Sequence, residues 1–338
     1  MQVGIVGFPS SGKSTVFRAL SPGGGGDRGG VTYGNIKVPD ERIDRLTAIF
    51  KPKKSTRAEI TFMDVAGGGG KVGGAFSPAV VAAMRNADVL AHVVRAFESP
   101  LHEAPPNPER DRAAFGDELV LLDLGVLEKM QERWRKTNKK GTEMDVLDRA
   151  VDALGEGRPL RDLGFDDNER LVFQGVQLLS IRPLITVYNL SEEAWADSPL
   201  RSNAGENAVA ICGSIEAEIA DLPPEDQAEF LAGLGLGEPA RDAFIRTAYG
   251  MLDLISFLTA GEDECRAWTI KRGTNARKAA GRIHSDLERG FIRAEVYRLE
   301  DLEKYGSEAA MKAAGKMRLE GKDYVVQDGD VMNIRFNV

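Results

Sequence analysis

The sequence predicts an α/β protein in three parts: an open sheet flanked by helices, a helical insertion within it, and a separate α+β module. Short apolar segments alternate with helical segments in residues 1–108 and 181–252, which is typical of a mainly parallel sheet. Between them, residues 109–180 carry apolar side chains every three or four positions, as one face of a helix does. From residue 253 a strand pattern returns in a compact stretch.

A phosphate-binding motif lies between the first predicted strand, residues 2–6, and the first helix. Residues 7–14 match G-x-x-x-x-G-K-[ST]. In this setting backbone N–H groups and the positive helix end point at one position, where Lys13 reaches the β- and γ-phosphates and Ser14 ligates Mg²⁺. An ordinary glycine turn would not require the whole pattern. We therefore predict that the chain binds a nucleoside triphosphate through Pro9, Ser10, Ser11, Gly12, Lys13, Ser14 and Thr15.

Composition and charge argue against several classes of protein. The chain has 338 residues, of which 42% are hydrophobic and 28% charged, and its formal net charge is −8 at pH 7. An acidic chain does not coat nucleic acid over its whole surface, although a local basic patch stays open. No apolar run reaches membrane-spanning length, no signal peptide precedes strand one, and Cys212 and Cys265 have no metal-ligand spacing. We expect a cytoplasmic monomer with reduced thiols and with no DNA or membrane partner.

A second nucleotide element follows the strand predicted over residues 59–63. Residues 64–67 spell D-x-x-G, in which Asp64 would hold Mg²⁺ through water and the Gly67 amide would sense the γ-phosphate. The motif is weak alone but stronger after a strand and downstream of a P-loop. Ras-type hydrolases place a water-orienting glutamine next, where this chain has Gly68. Hydrolysis is therefore expected to need another group or to be slow.

Two histidines lie near this predicted site. His92 lies within an apolar strand over residues 89–94, where packing is the expected role. His102 lies in the proline-rich loop 99–108, after the carboxyl end of that strand, where ligands gather in open α/β sheets. For His102 a catalytic role and no role at all stay equally open.

The helical insertion, residues 109–180, is predicted to be antiparallel. A basic cluster lies at its turn. It either contacts an RNA backbone or is a solvated helix end that suits its own dipole, and both interpretations stay open. The cluster comprises Arg133, Arg135, Lys136, Lys139 and Lys140.

A base-reading loop is predicted after the apolar strand at residues 184–188. Guanine-specific proteins carry N-K-x-D there, with a carboxylate that accepts from guanine N1–H and the 2-amino group; adenine lacks both donors. This chain reads Asn189-Leu190-Ser191-Glu192, so leucine replaces lysine and the carboxylate is one methylene longer. Both changes are expected to loosen guanine reading. Gly213 and Ser214 follow the last predicted strand, over residues 208–212, and are predicted to begin a helix in the position of the loop that backs the base.

The final module, residues 253–338, is predicted to contain strands over 265–270 and 291–298, a helix over 275–286 and a closing hairpin over 325–336. It shows no catalytic constellation. A second basic group there is either a binding patch or a solvated face: Lys271, Arg272, Arg277, Lys278 and Arg282.

With these motifs assembled, the chain closely resembles the YchF-type Obg-like ATPases over nearly its full length. The most specific segments are the N-x-x-E loop, residues 215–219, and a tail similar to the family's TGS domain. The resemblance implies a P-loop NTPase domain of the G-domain type in 1–108 and 181–252, a coiled-coil-like helical hairpin in 109–180, and a ubiquitin-like TGS domain in 253–338.

The resemblance also implies a preference for ATP over GTP and a contact with ribosomes that the nucleotide state controls. Leu190 and Glu192 match the family residues that select adenine. His102 stands near the family's loop histidine, to which hydrolysis is linked. The two basic groups would then face ribosomal RNA.

Three departures from the family pattern lie in the catalytic half. Ser10 replaces an asparagine that is linked to potassium-assisted hydrolysis in related proteins, Gly68 replaces a hydrophobic residue, and glycines replace the switch-one threonine motif. K⁺ is therefore an open alternative, whereas Mg²⁺ is expected. The chain is read as an ATP-binding protein with slow Mg²⁺-dependent ATPase activity that acts as a nucleotide-gated switch on the ribosome. The alternatives are a nucleotide-binding module without hydrolysis and a GTP-dependent Obg-like switch.

Overall fold

The computed structural model describes residues 1–21, 27–28, 31–65, 76–100, 104–234, 236 and 238–337. By its internal contacts the chain divides into two compact units. Unit 1 comprises Met1–Ile36 with Ile60–Thr247, and unit 2 comprises Lys37–Glu59 with Ala248–Val338. The predicted α/β class with a separate α+β module is confirmed.

The strands in chain order are β1 Gln2–Val6, β2 Asp27–Arg28, β3 Val31–Lys37, β4 Lys54–Thr56, β5 Glu59–Val65, β6 Val89–Ala96, β7 Leu184–Leu190, β8 Ala208–Ile211, β9 Leu254–Thr259, β10 Glu264–Lys271, β11 Phe291–Tyr297, β12 Arg318–Glu320 and β13 Val331–Phe336.

The helices in chain order are α1 Lys13–Leu20, α2 Glu41–Phe50, α3 Pro78–Asn86, α4 Pro108–Lys136, α5 Thr142–Gly155, α6 Asp167–Leu171, α7 Glu192–Trp195, α8 Pro199–Ser202, α9 Gly213–Asp221, α10 Pro224–Gly233, α11 Ala240–Met251, α12 Ala276–Ile283, α13 Ser285–Arg289, α14 Leu299–Tyr305 and α15 Glu308–Ala313, with a 3₁₀ turn at Leu160–Leu163. Among the described residues, none of these helices has both the length and the apolar character needed to cross a membrane.

The sheet of unit 1 has seven strands in the order β2-β3-β5-β1-β6-β7-β8. β1 pairs in parallel with β5 and β6, and β6, β7 and β8 continue the parallel arrangement. Because parallel strands end at one edge of a sheet, the carboxyl ends of β1, β5, β6, β7 and β8 lie at the same edge. Among the described residues, this brings the phosphate loop, Asp64 and Asn189 to that edge.

The helical insertion is built on α4 and α5, which pack on each other and enclose their own apolar core. Its anchor is the carboxylate of Asp123 on α4, which is fully buried. That carboxylate accepts hydrogen bonds from the backbone N–H groups of Leu179 and Ser180, at 2.9 and 2.6 Å, and from the Ser180 hydroxyl at 2.6 Å. The long first helix is thereby fixed to the chain just before β7.

Unit 2 is built on a six-stranded sheet in the order β12-β11-β13-β9-β10-β4. One face packs on α12, with Ala276, Ala279, Phe257 and Val296 in its core. The helix predicted over 275–286 is split into α12 and α13 at His284. The predicted closing hairpin over 325–336 is wrong: Val325 forms only an isolated bridge, and β13 pairs instead with β11 and β9.

Residues 37–59 belong to a different domain from the one that the sequence predicts. The sequence-based division places all of 1–108 in the nucleotide-binding domain, whereas in the structure residues 37–59 belong to unit 2. β4 pairs in parallel with β10, and Lys53 N–H donates to the Glu262 carbonyl at 3.0 Å. Arg42 on α2 forms an ion pair with Asp328 at 2.9 Å. These partners lie more than 200 positions away, so no local pattern could reveal them.

Candidate functional site

The loop after β1 has a backbone that only glycine adopts readily at two positions. Gly7 and Gly12 have φ angles of 149° and 87°. A Cβ on Gly7 would lie 2.5 Å from the Val93 carbonyl oxygen, so the loop and β6 approach too closely for any side chain there. Ser10 also has a positive φ, 58°, and is exposed together with Pro9. This is the curled strand-to-helix loop that the motif predicts.

Lys13, the first residue of α1, lies across this loop. Its Nζ donates a hydrogen bond to the Phe8 carbonyl at 2.8 Å. Burial lowers the pKa of the ammonium group, and the nearby Asp64 carboxylate partly opposes that effect. A half-buried cation held beside the loop's backbone is well placed to receive phosphate oxygens.

Asp64 and Ser14 meet at the ends of β5 and the loop. Burial raises the pKa of the Asp64 carboxyl, while a hydrogen bond with the Ser14 side chain and the charge of Lys13 lower it. Asp64 is 7% exposed, and its Oδ1 has no hydrogen-bond partner. An orphaned buried carboxylate oxygen beside a hydroxyl fits a hydrated Mg²⁺, which prefers oxygen ligands and retains several waters. Ser14 and Asp64 are therefore the residues that could hold the ion.

Asn189, at the end of β7, joins two loops of this edge. Its Nδ2 donates to the Ser11 carbonyl at 3.1 Å, and its Oδ1 accepts from the Gly213 backbone N–H at 3.1 Å. The side chain is buried, so both of its hydrogen-bonding ends are occupied within the protein. Asn189 thus fixes the phosphate loop relative to the start of α9.

The other base-loop residues have different environments. Glu192, the first residue of α7, is exposed with no ion-pair partner among the described residues, so its carboxylate is free for a ligand. Leu190 is 5% exposed and packs with Trp195 and Cys212. The structure therefore does not bring the Leu190 side chain to the surface of the site; it supports the loop from inside.

Of the remaining predicted site residues, the structure describes Ser214 and Thr15. Ser214 is exposed in the first turn of α9, where its hydroxyl lies 3.2 Å from the Cys212 sulfur. Thr15 is half-buried in α1, which packs on α9. Gly67, Gly68 and His102 lie outside the described residues.

His92 has the packing role that was predicted. It is fully buried, and burial lowers the pKa of its imidazole to about 3. Its ring stacks on Phe115 of α4, and Phe8 of the phosphate loop meets both rings edge-on. Phe76 also contacts Phe8 and Phe115, so an aromatic cluster joins the loop to the helical insertion.

Arg95 is a residue of this site that the sequence reading missed. It lies at the end of β6 and is 5% exposed. Its guanidinium donates to the Phe97 carbonyl at 3.0 Å and to the Ala104 carbonyl at 3.1 Å. It therefore fixes both flanks of residues 101–103, the segment that carries His102. The available signal was an arginine within an otherwise apolar strand.

Two family models match the chain. The YchF-GTPase_C model, described as a protein of unknown function, matches residues 254–337. The MMR_HSR1 model, described as a 50S ribosome-binding GTPase, matches residues 2–115. The first match covers most of the C-terminal module, and the second covers the phosphate loop and the D-x-x-G element.

Curated relatives match along the whole chain. The Ribosome-binding ATPase YchF of Bacillus subtilis (strain 168) is 38% identical over 364 aligned residues, covering 100% of both chains. The Obg-like ATPase 1 of Oryza sativa subsp. japonica is 33% identical, covering 100% of this chain and 92% of that protein. Among solved structures, the Schizosaccharomyces pombe YchF GTPase is 31% identical with a TM-score of 0.86, covering 99% of this chain and 97% of that chain.

Proposed function

This chain belongs to the YchF family, and from that premise we propose that it is an ATP-binding switch protein that hydrolyses ATP slowly with Mg²⁺ and associates with the ribosome. Its relatives are named ribosome-binding ATPases, and its N-terminal domain matches a P-loop GTPase model, so nucleotide binding and hydrolysis are common to the comparisons. The preference for ATP, the slow turnover and the switch behaviour are the parts that need experiments.

The observation that carries the proposal is the meeting of Lys13, Ser14 and Asp64 at one point. Lys13 and the curled loop would hold the phosphates, and Ser14 with Asp64 would hold Mg²⁺. A bound Mg²⁺ supplies charge that offsets the phosphate oxygens. The burial that raises the Asp64 pKa and lowers the Lys13 pKa keeps both groups poorly solvated, which strengthens their interaction with a charged ligand.

The preference for adenine rests on the free carboxylate of Glu192. Its extra methylene changes where the carboxylate reaches, and the lysine of guanine-reading loops is replaced by Leu190, whose side chain is buried. The relatives' names differ on this point, since the Bacillus subtilis relative is named an ATPase and the Schizosaccharomyces pombe relative a GTPase. The choice of nucleotide is therefore the property to measure first.

Turnover is proposed to be slow because no glutamine follows the D-x-x-G element; the chain has Gly68 there. His102 is the proposed group that acts on the attacking water, in a segment whose flanks Arg95 fixes. K⁺ would bind beside Ser10 of the P-loop. The serine hydroxyl is expected to be a poorer ligand for K⁺ than the side-chain carbonyl oxygen of the asparagine that it replaces. A K⁺ effect is therefore expected to be small.

The decisive experiment is a parallel titration of the full chain with fluorescent ATP and GTP analogues in Mg²⁺, using wild type and Glu192→Asp. We expect wild type to bind ATP at least about tenfold more tightly than GTP, a difference of about 1.4 kcal/mol. In Glu192→Asp, the difference between the ATP and GTP affinities should be smaller. Equal affinity for both nucleotides, or tighter GTP binding, would reject the ATP assignment and favour the GTP-dependent alternative.

A phosphate-release assay tests hydrolysis separately. Wild type is expected to release phosphate with Mg²⁺, His102→Ala to lose most of that activity, and Glu192→Asp to retain it at saturating ATP. If wild type and His102→Ala were equally silent with Mg²⁺ and K⁺ while ATP still bound, the non-hydrolysing module would be the correct reading.

A further inference from the structure

Phe8, the second residue of the phosphate loop, is buried. It is 6% exposed, although the motif of residues 7–14 accepts any residue at that position. Phosphate binding alone therefore does not explain a buried aromatic side chain there. The Phe8 carbonyl accepts hydrogen bonds from the Ser11 backbone N–H at 3.3 Å and from Lys13 Nζ at 2.8 Å. The position of Phe8 thus determines where the ammonium group of Lys13 is held.

Three rings lie around Phe8, and each comes from a different part of unit 1. Phe76 lies between the D-x-x-G element and α3 in the chain, His92 lies on β6, and Phe115 lies on α4. Their ring centroids are 6.2, 6.2 and 6.3 Å from that of Phe8. Phe76 and Phe115 also meet each other, at 5.4 Å. We call these four residues the Phe8 ring cluster; such pairs stabilise one another beyond the area that they bury.

Helix α4 takes part in two separate cores. Near its start, Phe115 and Leu119 are fully buried in a core that also contains Phe8. Further along, Leu127 and Met130 pack in the insertion's own core. Phe115 and Met130 are about 22 Å apart along one continuous helix. The first core is therefore the place where the insertion can act on the phosphate loop.

The phosphate loop has free space beside the Phe8 ring cluster. A cavity of about 40 Å³ lies between the loop and the first turn of α4, and its lining includes Pro9, Ser11, Arg110 and Asp111. The Ser11 hydroxyl is buried without a hydrogen-bond partner among the described residues. Atoms that line a cavity lack packing partners on that side, so the loop needs other contacts to hold its shape. Asn189 supplies one such contact through the Ser11 carbonyl, and the Phe8 ring cluster supplies another.

We propose that Phe115 is a positioning residue for nucleotide binding: through the Phe8 ring cluster, the helical insertion holds the phosphate loop in the shape that places Lys13 for the phosphates. This inference rests on the proposed binding of nucleotide at the loop, but not on the choice of ATP or on ribosome association. Because coupling between two sites is reciprocal, bound nucleotide should in turn stabilise the start of α4. A partner that displaces the start of α4 would consequently weaken nucleotide binding.

The test is a double-mutant cycle on the full chain, measured as the affinity for fluorescent ATP and GTP analogues with Mg²⁺. We expect Phe115→Leu and Phe8→Leu each to weaken binding by about threefold to tenfold. The double variant should bind about as weakly as the weaker single variant, because both changes remove the same contact. Both analogues should be affected by the same factor, since the contact positions the phosphates and not the base. Unchanged affinity in Phe115→Leu, or fully additive losses, would overturn the inference.

The matched control is Phe173→Leu, the same chemical change in the insertion's own core. Phe173 is 4% exposed and meets Phe165 edge-on, with ring centroids 5.3 Å apart. This variant should lower the melting temperature of the protein and leave nucleotide affinity as in wild type, measured well below the melting transition. Equal losses of affinity in Phe173→Leu and Phe115→Leu would show a general effect of destabilising the insertion and reject the positioning role of Phe115.

Hydrogen exchange of the α4 amides measures the reciprocal effect. A saturating ATP analogue should slow exchange near Phe115 in wild type and in Phe173→Leu, but not in Phe8→Leu. If wild type bound the analogue without any change in α4 exchange, the coupling would be wrong while the proposed function stood. If wild type bound both nucleotides but did not hydrolyse ATP or sediment with ribosomes, the proposed function would fail in those parts, and the double-mutant cycle would still support the role of Phe115.

Discussion

The imidazole of His92 stacks on the ring of Phe115, with ring centroids 3.9 Å apart and planes 15° from parallel. His92 lies on β6, beside the strand that leads into the phosphate loop, and Phe115 lies on the first helix of the insertion. Both imidazole nitrogens are buried without a hydrogen-bond partner. The contact fixes the insertion to the strand that supports the nucleotide site, and it requires a neutral ring.

The buried imidazole of His92 makes stability depend on pH. Its folded-state pKa is about 3, below the ordinary value of 6.5. Its contribution is therefore fully present above about pH 6.5 and is lost as the pH falls towards 3, by up to about 1.4 kcal/mol per pH unit. We expect the free energy of unfolding of His92→Phe to decrease less than that of wild type as the pH falls from 6.5 towards 3. Urea denaturation at a series of pH values measures this difference.

The control for that experiment is His284→Phe, at an exposed histidine of unit 2. It should follow the wild-type pH dependence. If His92→Phe and His284→Phe gave the same curve as wild type, the buried ring would not be the acid-sensitive group.

Asp64 is expected to lower the stability of the ligand-free protein and to strengthen ligand binding. Its raised pKa means that the charged carboxylate is disfavoured in the fold, and that this cost is present above its folded pKa and disappears as the pH falls through it. Asp64→Asn should therefore stabilise the free protein near neutral pH and weaken Mg²⁺-dependent nucleotide binding at least tenfold, on the order of 1.4 kcal/mol.

Thermal melting with and without Mg²⁺ and ATP analogue measures both effects of Asp64→Asn. Asp117→Asn, on an exposed position of α4, is the matched control and should change neither. A lower melting temperature of ligand-free Asp64→Asn would contradict the prediction.

Asn189 is expected to act on nucleotide affinity through the loops that it joins. Asn189→Ala leaves the Ser11 carbonyl and the Gly213 N–H without their partner, at about 1–3 kcal/mol for each buried group. We expect weaker binding of both ATP and GTP analogues and a lower melting temperature, unlike Glu192→Asp, which should change selectivity. Asn203→Ala, at an exposed asparagine, should leave affinity unchanged. A pure change in ATP-over-GTP selectivity in Asn189→Ala would show that the loop-joining role is secondary.

Asp123 is expected to determine whether the helical insertion stays docked. Asp123→Ala removes the acceptor for two buried backbone N–H groups and the Ser180 hydroxyl, at about 3 kcal/mol or more in total. We expect faster limited proteolysis within residues 109–180 and a lower melting temperature. Asp117→Ala, six positions earlier and exposed, provides the comparison. If both variants were cleaved at the same rate, the hypothesis that Asp123 anchors the insertion would be wrong.

Much of the nucleotide-binding edge could be predicted from local sequence because its parts are contiguous. The loop of residues 7–14 needs glycine at Gly7 and Gly12 for backbone reasons, and β1 and α1 flank it as predicted. The period of apolar residues likewise predicts α4. The roles of Arg95 and Asp123 could not be predicted from the sequence, because the hydrogen-bond partners of a buried charged residue are visible only in the three-dimensional structure.

Motif, period and spacing are properties of neighbouring residues, so local sequence is enough to predict the phosphate loop, the D-x-x-G aspartate, the strands that carry them and the family. Only the fold in three dimensions shows that residues 37–59 belong to unit 2, where they add β4 to its sheet, and that β13 pairs with β11 and β9. It also shows that three of the five cations at the turn of the insertion, Arg135, Lys136 and Lys139, pair with carboxylates of the insertion itself. These outcomes depend on strand edges and carboxylates that are distant in the chain or on another turn of the helix, and a linear pattern does not encode which of them meet.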